Sequence, residues 1–243
     1  MPDPFALAVL VAGALVGSVV GGAAGFGTGL ILLPLVAWTL GIKATGPVLT
    51  VAMLLGNISR VWWSRHDLDP GVAVRFLAGA VPATALVAML YAGLGGEWLA
   101  RIIGVFLVLA VPVRRLLLSG RLRVGLATFP PLGVGIGALS ALVVTTGPIA
   151  APFFLAYGLR RGAYIATEGI CAFAMHATRG VVFARYSLIS GQTLLLGLLL
   201  GSVMFAGSWL GRRLLDRMSD RTFLVLVEAL LVTMGLQFLL LSR

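Results

Sequence analysis

Apolar residues run in eight blocks along the chain, at 5–40, 47–63, 72–94, 98–118, 124–157, 163–186, 193–214 and 222–241, with charged residues mostly at their ends and in the short joints. A hydrocarbon layer about 30 Å thick takes about 20 apolar residues of helix, so each block predicts a membrane-crossing helix. The blocks 5–40 and 124–157 are too long for one crossing. Each is interrupted in its middle, by the glycine-rich run Gly21–Gly29 and by Thr145-Thr-Gly-Pro148. Glycine and proline weaken a helix interior, so each long block reads as two shorter helices joined by a break.

The two long blocks also open the two halves of an internal repeat. Displaced by 118 to 120 residues, Gly29-Leu-Ile-Leu-Leu-Pro34 lies over Gly147-Pro-Ile-Ala-Ala-Pro152, Arg60 over Arg179, and Leu68-Asp-Pro-Gly71 over Leu188-Ile-Ser-Gly191. Charge selects the topology. If every block crossed once, the cluster Arg114, Arg115, Arg121 and Arg123 would face away from the cluster Arg212, Arg213, Arg217 and Arg221. If each long block turns back as a hairpin, both clusters share one face with Arg60, Arg65, Arg75, Arg160 and Arg161. That gathers most of the 18 basic residues on one side, as the positive-inside rule asks of a cytoplasmic face. Both termini then face the periplasm.

Each repeat then has five passes, an odd number, which inverts the second against the first. The expected fold is all-α and polytopic, with two inverted repeats, each a broken-helix hairpin plus three transmembrane helices, 8 to 10 membrane segments in total. Residues 1–119 form the first repeat and 120–243 the second, together one transmembrane domain. Inverted repeats with opposed broken helices are the signature of secondary transporters, which hold substrate near the midplane.

Composition supports the same class. Of 243 residues, 60% are hydrophobic and 11% charged, against roughly 25% charged in soluble domains. The net charge of +10 is arginine at helix ends, with no basic stripe interleaved with exposed aromatics, so nucleic acid is not the expected partner. The lone Cys171 lies in an apolar block and reads as packing. Asp3 stands where a signal peptide would carry a basic residue, so the N-terminal block is expected to be a retained membrane segment.

Gly22-Ala-Ala-Gly-Phe-Gly-Thr-Gly-Leu-Ile-Leu-Leu-Pro34 resembles the glycine-rich first motif of the TauE/SafE sulfite exporter family, also called the toluene sulfonate uptake permease family. Thr146-Gly-Pro-Ile-Ala-Ala-Pro152 and Tyr157-Gly-Leu-Arg-Arg-Gly-Ala-Tyr-Ile-Ala-Thr-Glu168 stand where many members carry another glycine-rich motif. The resemblance covers nearly the whole chain. It implies a multi-pass carrier of the bacterial inner membrane for sulfite, organosulfonates or related small anions, with substrate and direction differing between members.

A small anion entering a membrane protein must exchange its hydration shell for donors of comparable strength. The first backbone N–H groups after a helix break have no intrahelical partner and carry partial positive charge. Gly25, Phe26, Gly27, Thr28 and Gly29 fit that role, with Thr28 adding a hydroxyl donor, and Thr145, Thr146, Gly147 and Pro148 are their counterparts. Small residues at these positions read equally as close helix packing. Arg60 and Arg179 are matched positions whose forks suit a sulfonate or sulfite, and a snorkelling anchor is the other reading of each. Asn57 overlies His176 and is a polar lining candidate.

Glu168, His176 and Arg179 share one helical face. Glu168 and His176 are the candidates for proton coupling, against the reading that they only satisfy neighbouring helices. Glu228 carries less information, and Trp62, Trp63 and Trp98 read as interfacial anchors.

Other classes fit less well. There is no GxSxG, no HExxH, no paired His/Cys spacing and no nucleotide-binding loop, so neither an enzyme, a metal site, a cofactor nor ATP-driven transport is expected. A gated anion channel and a non-transporting membrane scaffold remain as alternatives. The expected partners are a small anionic substrate, membrane lipid and a second copy in a homodimer.

Overall fold

The structure, a computed structural model, describes residues 2–119, 123–159 and 161–214. The last apolar block, 222–241, lies outside them, with Arg121, Arg160, Arg217, Arg221 and Glu228. Among the described residues every regular element is helical: α1 (Pro4–Ala24), α2 (Thr28–Leu40), α3 (Ile42–Ser64), α4 (Pro70–Gly93), α5 (Gly96–Ser119), α6 (Phe129–Val143), α7 (Gly147–Ala156), α8 (Arg161–Arg185) and α9 (Gly191–Leu214). Among the described residues five stretches are long and apolar enough to cross a membrane, Pro4–Gly22, Ile42–Trp62, Pro70–Gly93, Leu126–Val143 and Gly191–Gly211. The helices over blocks 98–118 and 163–186 are as long but more polar. Glu97 and Arg101 dilute α5, and Glu168, Arg179 and Arg185 dilute α8.

Local chemistry sets the helix ends. Asp3 caps α1 by accepting from the Ala6 N–H at 2.9 Å, and Asp69 caps α4 from Val72 at 3.0 Å, each followed by a proline whose missing N–H costs nothing at that position. Both long blocks break. The first breaks at Gly25, which adopts a left-handed φ of 76° and returns its N–H to Gly21. The second breaks at Val144, whose φ of 66° is an outlier for a β-branched residue and whose N–H returns to Ser140 at 3.0 Å.

Both blocks then fold back. In the first, α2 runs down α1 with Gly13 against Leu35, and Gly17 and Gly21 against Thr28. In the second, the Phe129 ring at the start of α6 meets Phe154 and Tyr157 at the end of α7, each at a centroid distance of 5.3 Å. At 1.5 Å per residue, α2 and α7 reach only about 20 and 15 Å, short of the bilayer.

Packing between the long helices is matched in the two halves, although α2 lies closely along α1 and α7 scarcely touches α6. α1 packs on α9 as α6 packs on α4, and α3 packs on α9 as α8 packs on α4. Glycines let these backbones touch: a Cβ on Gly79 or Gly133 would run into the carbonyl of Pro130 or Phe76, and one on Gly211 into that of Val19. α3 and α8 cross antiparallel at the centre, with Asp67 beside Gly162, Val61 beside Gly169, and Thr50 beside Arg179 and Gly180. Trp62 and Trp98 lie exposed at helix ends under the guanidinium groups of Arg65 and Arg101, at 4.8 and 5.4 Å.

Candidate functional site

The two breaks meet. A Cβ on Gly147 would collide with the Cβ of Phe26, and one on Gly29 would come within 2.8 Å of the Thr145 Cβ, so the two segments touch directly. Where they meet, α3 and α8 close over a cavity of about 40 Å3. A water needs roughly 10–15 Å3 by this measure, so the space suits a few waters or one small ion.

Gly25, Phe26, Gly27, Thr28, Gly29, Asn57, Arg60, Thr145, Thr146, Gly147, Glu168 and His176 all line it. Pro148 and Arg179 do not, which corrects their expected position. Pro148 is buried in the first turn of α7, and Arg179 stands one side chain behind the wall at 1% exposure. Residues not anticipated complete the lining: Met53, Gly56, Ser140, Val144, Ala172, Met175, Met204 and Ser208. A helical signal for many of them is present in the chain. Met53, Gly56, Asn57 and Arg60 recur at one period on α3, as do Glu168, Ala172, Met175 and His176 on α8.

The first break is the richer in donors. The first intrahelical bond of α2 runs from the Ile31 N–H to the Gly27 carbonyl at 3.1 Å, so the N–H groups of Thr28, Gly29 and Leu30 have no acceptor within the helix. In the second break Pro148 has no N–H, while Ile149 and Ala150 both donate to the Thr146 carbonyl at 3.0 Å. The Thr28 hydroxyl is not the cavity donor expected of it. It donates to the Gly17 carbonyl at 3.0 Å and fastens α2 to α1.

Neither arginine is a snorkelling anchor, because both turn inward and bind protein groups. Arg60 donates to the Gly25 carbonyl, at the C-terminal end of α1, and to the Asn57 side-chain oxygen, and its Nη1 lies 2.8 Å from a Glu168 carboxylate oxygen. Arg179 donates to the Ser140 carbonyl near the end of α6 at 2.6 Å and to Thr50 Oγ1 at 2.7 Å, and it lies 2.7 Å from His176 Nδ1. Each guanidinium therefore caps the negative end of the first half-helix in its own half. They differ in compensation: Glu168 neutralises Arg60, whereas among the described residues no carboxylate forms an ion pair with Arg179. Its charge stays behind the cavity wall as a field favouring anions.

Apolar helices of membrane-crossing length around a small cavity between two helix breaks define a polytopic membrane protein. The chain belongs to the family described as Sulfite exporter TauE/SafE, which it matches over residues 9–238. No curated protein and no solved structure matches it. Membership makes it a transmembrane transport protein for sulfite-type anions.

Proposed function

We propose that this protein is a secondary transporter of sulfite, organosulfonate or a related sulfur oxyanion across the bacterial inner membrane, with the anion held where the two helix breaks meet. One observation carries the reading: the two breaks touch beside a small cavity lined by backbone and polar side chains of both breaks and of α3 and α8. Unpaired N–H groups at helix starts, with no formal charge, bind an anion well enough to desolvate it and loosely enough to release it. A thermal-shift screen tests the proposal, because a ligand raises the unfolding temperature with its occupancy. Sulfite or a sulfonate should stabilise purified protein, while carboxylates of similar size should not. Equal shifts from every anion, or none, would remove the reading.

The antiparallel crossing of α3 and α8 and the paired packing of α1 on α9 and α6 on α4 support inverted repeats with 8 to 10 membrane segments, and the positive-inside rule applied to the arginine clusters supports periplasmic termini. Single cysteines placed near Arg65, Arg123 and Gly158 should be shielded from impermeant thiol reagents in intact cells, and one near Asp3 should label. Labelling of Arg123 and Arg65 positions from opposite sides would refute that topology.

Proton coupling through Glu168 and His176 belongs to the same proposal. Glu168 faces Arg60, so its protonation would leave the guanidinium at the end of α1 without its counter-charge. His176 faces Arg179, which must move before Nδ1 can take a proton. His176→Ala should lower sulfite uptake and flatten the pH dependence of what remains between about pH 5 and 8 while the protein stays folded. An unaltered profile would take His176 out of the coupling path.

A further inference from the structure

Asn57 and His176 are matched under a displacement of 119 residues, as are Arg60 and Arg179, and in each half the arginine lies three residues after its partner on the same helix. A guanidinium only donates hydrogen bonds. The atom of Asn57 facing Arg60 must therefore be the amide oxygen, which leaves the NH2 group on the other side. That nitrogen is buried, in a residue 3% exposed, and has no partner among the described residues, although Asn57 lines the cavity. The same logic applies to His176. Its Nδ1, 2.7 Å from an Arg179 terminal nitrogen, must accept, so the proton of the ring sits on Nε2. His176 also lines the cavity, which the antiparallel crossing of α3 and α8 brings against Asn57.

Resting on the transporter reading above, we propose that the oxyanion is gripped by two neutral donors, Asn57 Nδ2 and His176 Nε2, and that Arg60 and Arg179 are positioning residues that aim them rather than ligands. Both arginines are committed elsewhere: Arg60 to Gly25, Asn57 and Glu168, Arg179 to Thr50, Ser140 and His176. A charge-assisted hydrogen bond is roughly twice as strong as a neutral one, so direct arginine ligation would favour capture and slow release. Arg179 holds its charge one side chain back and Arg60, at the lining, is offset by Glu168, which keeps the attraction and leaves the contacts themselves neutral.

The experiment has two arms on the full-length protein in detergent, with sulfite as the probe. In the first, nitrogen NMR of histidine-labelled protein reads the tautomer. The chain has only two histidines, and His176→Gln identifies the buried one. Ligand-free wild type should hold His176 with its proton on Nε2, and Arg179→Met should release it to a mixture of tautomers. In the second, calorimetry compares wild type with Asn57→Asp, which keeps an oxygen for Arg60 but turns the free donor into an acceptor. Sulfite affinity should fall at least about 100-fold, the loss of a buried hydrogen bond plus a like-charge contact. Wild-type binding by Asn57→Asp, or a His176 proton on Nδ1, overturns the assignment and returns the anion to the arginines. Absence of sulfite binding by the wild type itself would instead bring down the transporter reading, and this assignment with it.

Discussion

Gly147→Val is expected to abolish sulfite binding without changing any charge. Even a single Cβ at this position would collide with the Cβ of Phe26, an atom fixed to the backbone of the first break, so no side-chain rotation relieves the clash. The valine must push the two breaks apart, and with them Thr28 and Gly29, whose N–H groups have no acceptor within α2 and which line the cavity. Overpacking of this kind costs typically about 1–3 kcal/mol, so the protein should remain folded with a lowered unfolding temperature. Gly135→Ala is the control, since a Cβ there meets nothing within 4 Å and the residue is exposed on α6. Calorimetry with sulfite should show binding in the control and none in the valine variant. Normal affinity in Gly147→Val would mean that the anion does not sit between the breaks.

Arg60→Gln is expected to be the most destabilising single substitution in the site. Both side chains of its ion pair are only 10% exposed, and losing the guanidinium strands the Glu168 carboxylate, the Gly25 carbonyl and the Asn57 amide oxygen together. Breaking a buried pair from one side costs about 3–5 kcal/mol, most of it the unpaired charge. Removing both charges in Arg60→Gln/Glu168→Gln should recover a large part of that loss, because two facing amides can bond to each other. Thermal unfolding of the wild type, the two single variants and the double variant closes the cycle. If the double variant were no more stable than Arg60→Gln, the pair would not be what holds α3 against α8.

The positions of the breaks were legible in the chain because their causes are local. Gly25 and Gly27 adopt positive φ, which only glycine does without strain, and Pro148 cannot continue a preceding helix. The membrane blocks were legible for a similar reason, since hydropathy over one helix needs no knowledge of the others. The polar faces of α3 and α8 follow from helical period alone. Val144 was not legible: nothing in a β-branched residue announces a φ of 66°, a conformation imposed by the packing around it.

The roles of the charged residues depended wholly on tertiary structure. Arg60 and Arg179 could be read from the chain as ligands or as anchors, and the fold turns both inward onto protein carbonyls and neighbouring side chains. Arg60 meets Glu168, and Arg179 meets Thr50, only because α3 and α8 cross antiparallel, which joins residues more than a hundred positions apart. Thr28 shows the same limit on a smaller scale, its hydroxyl consumed by a carbonyl about two turns below the break. Hydropathy and helix-breaking residues act within a few positions and survive in one dimension. The direction in which a buried donor points is set by whichever acceptor the fold brings within 3 Å of it, and that is a property of the packed bundle.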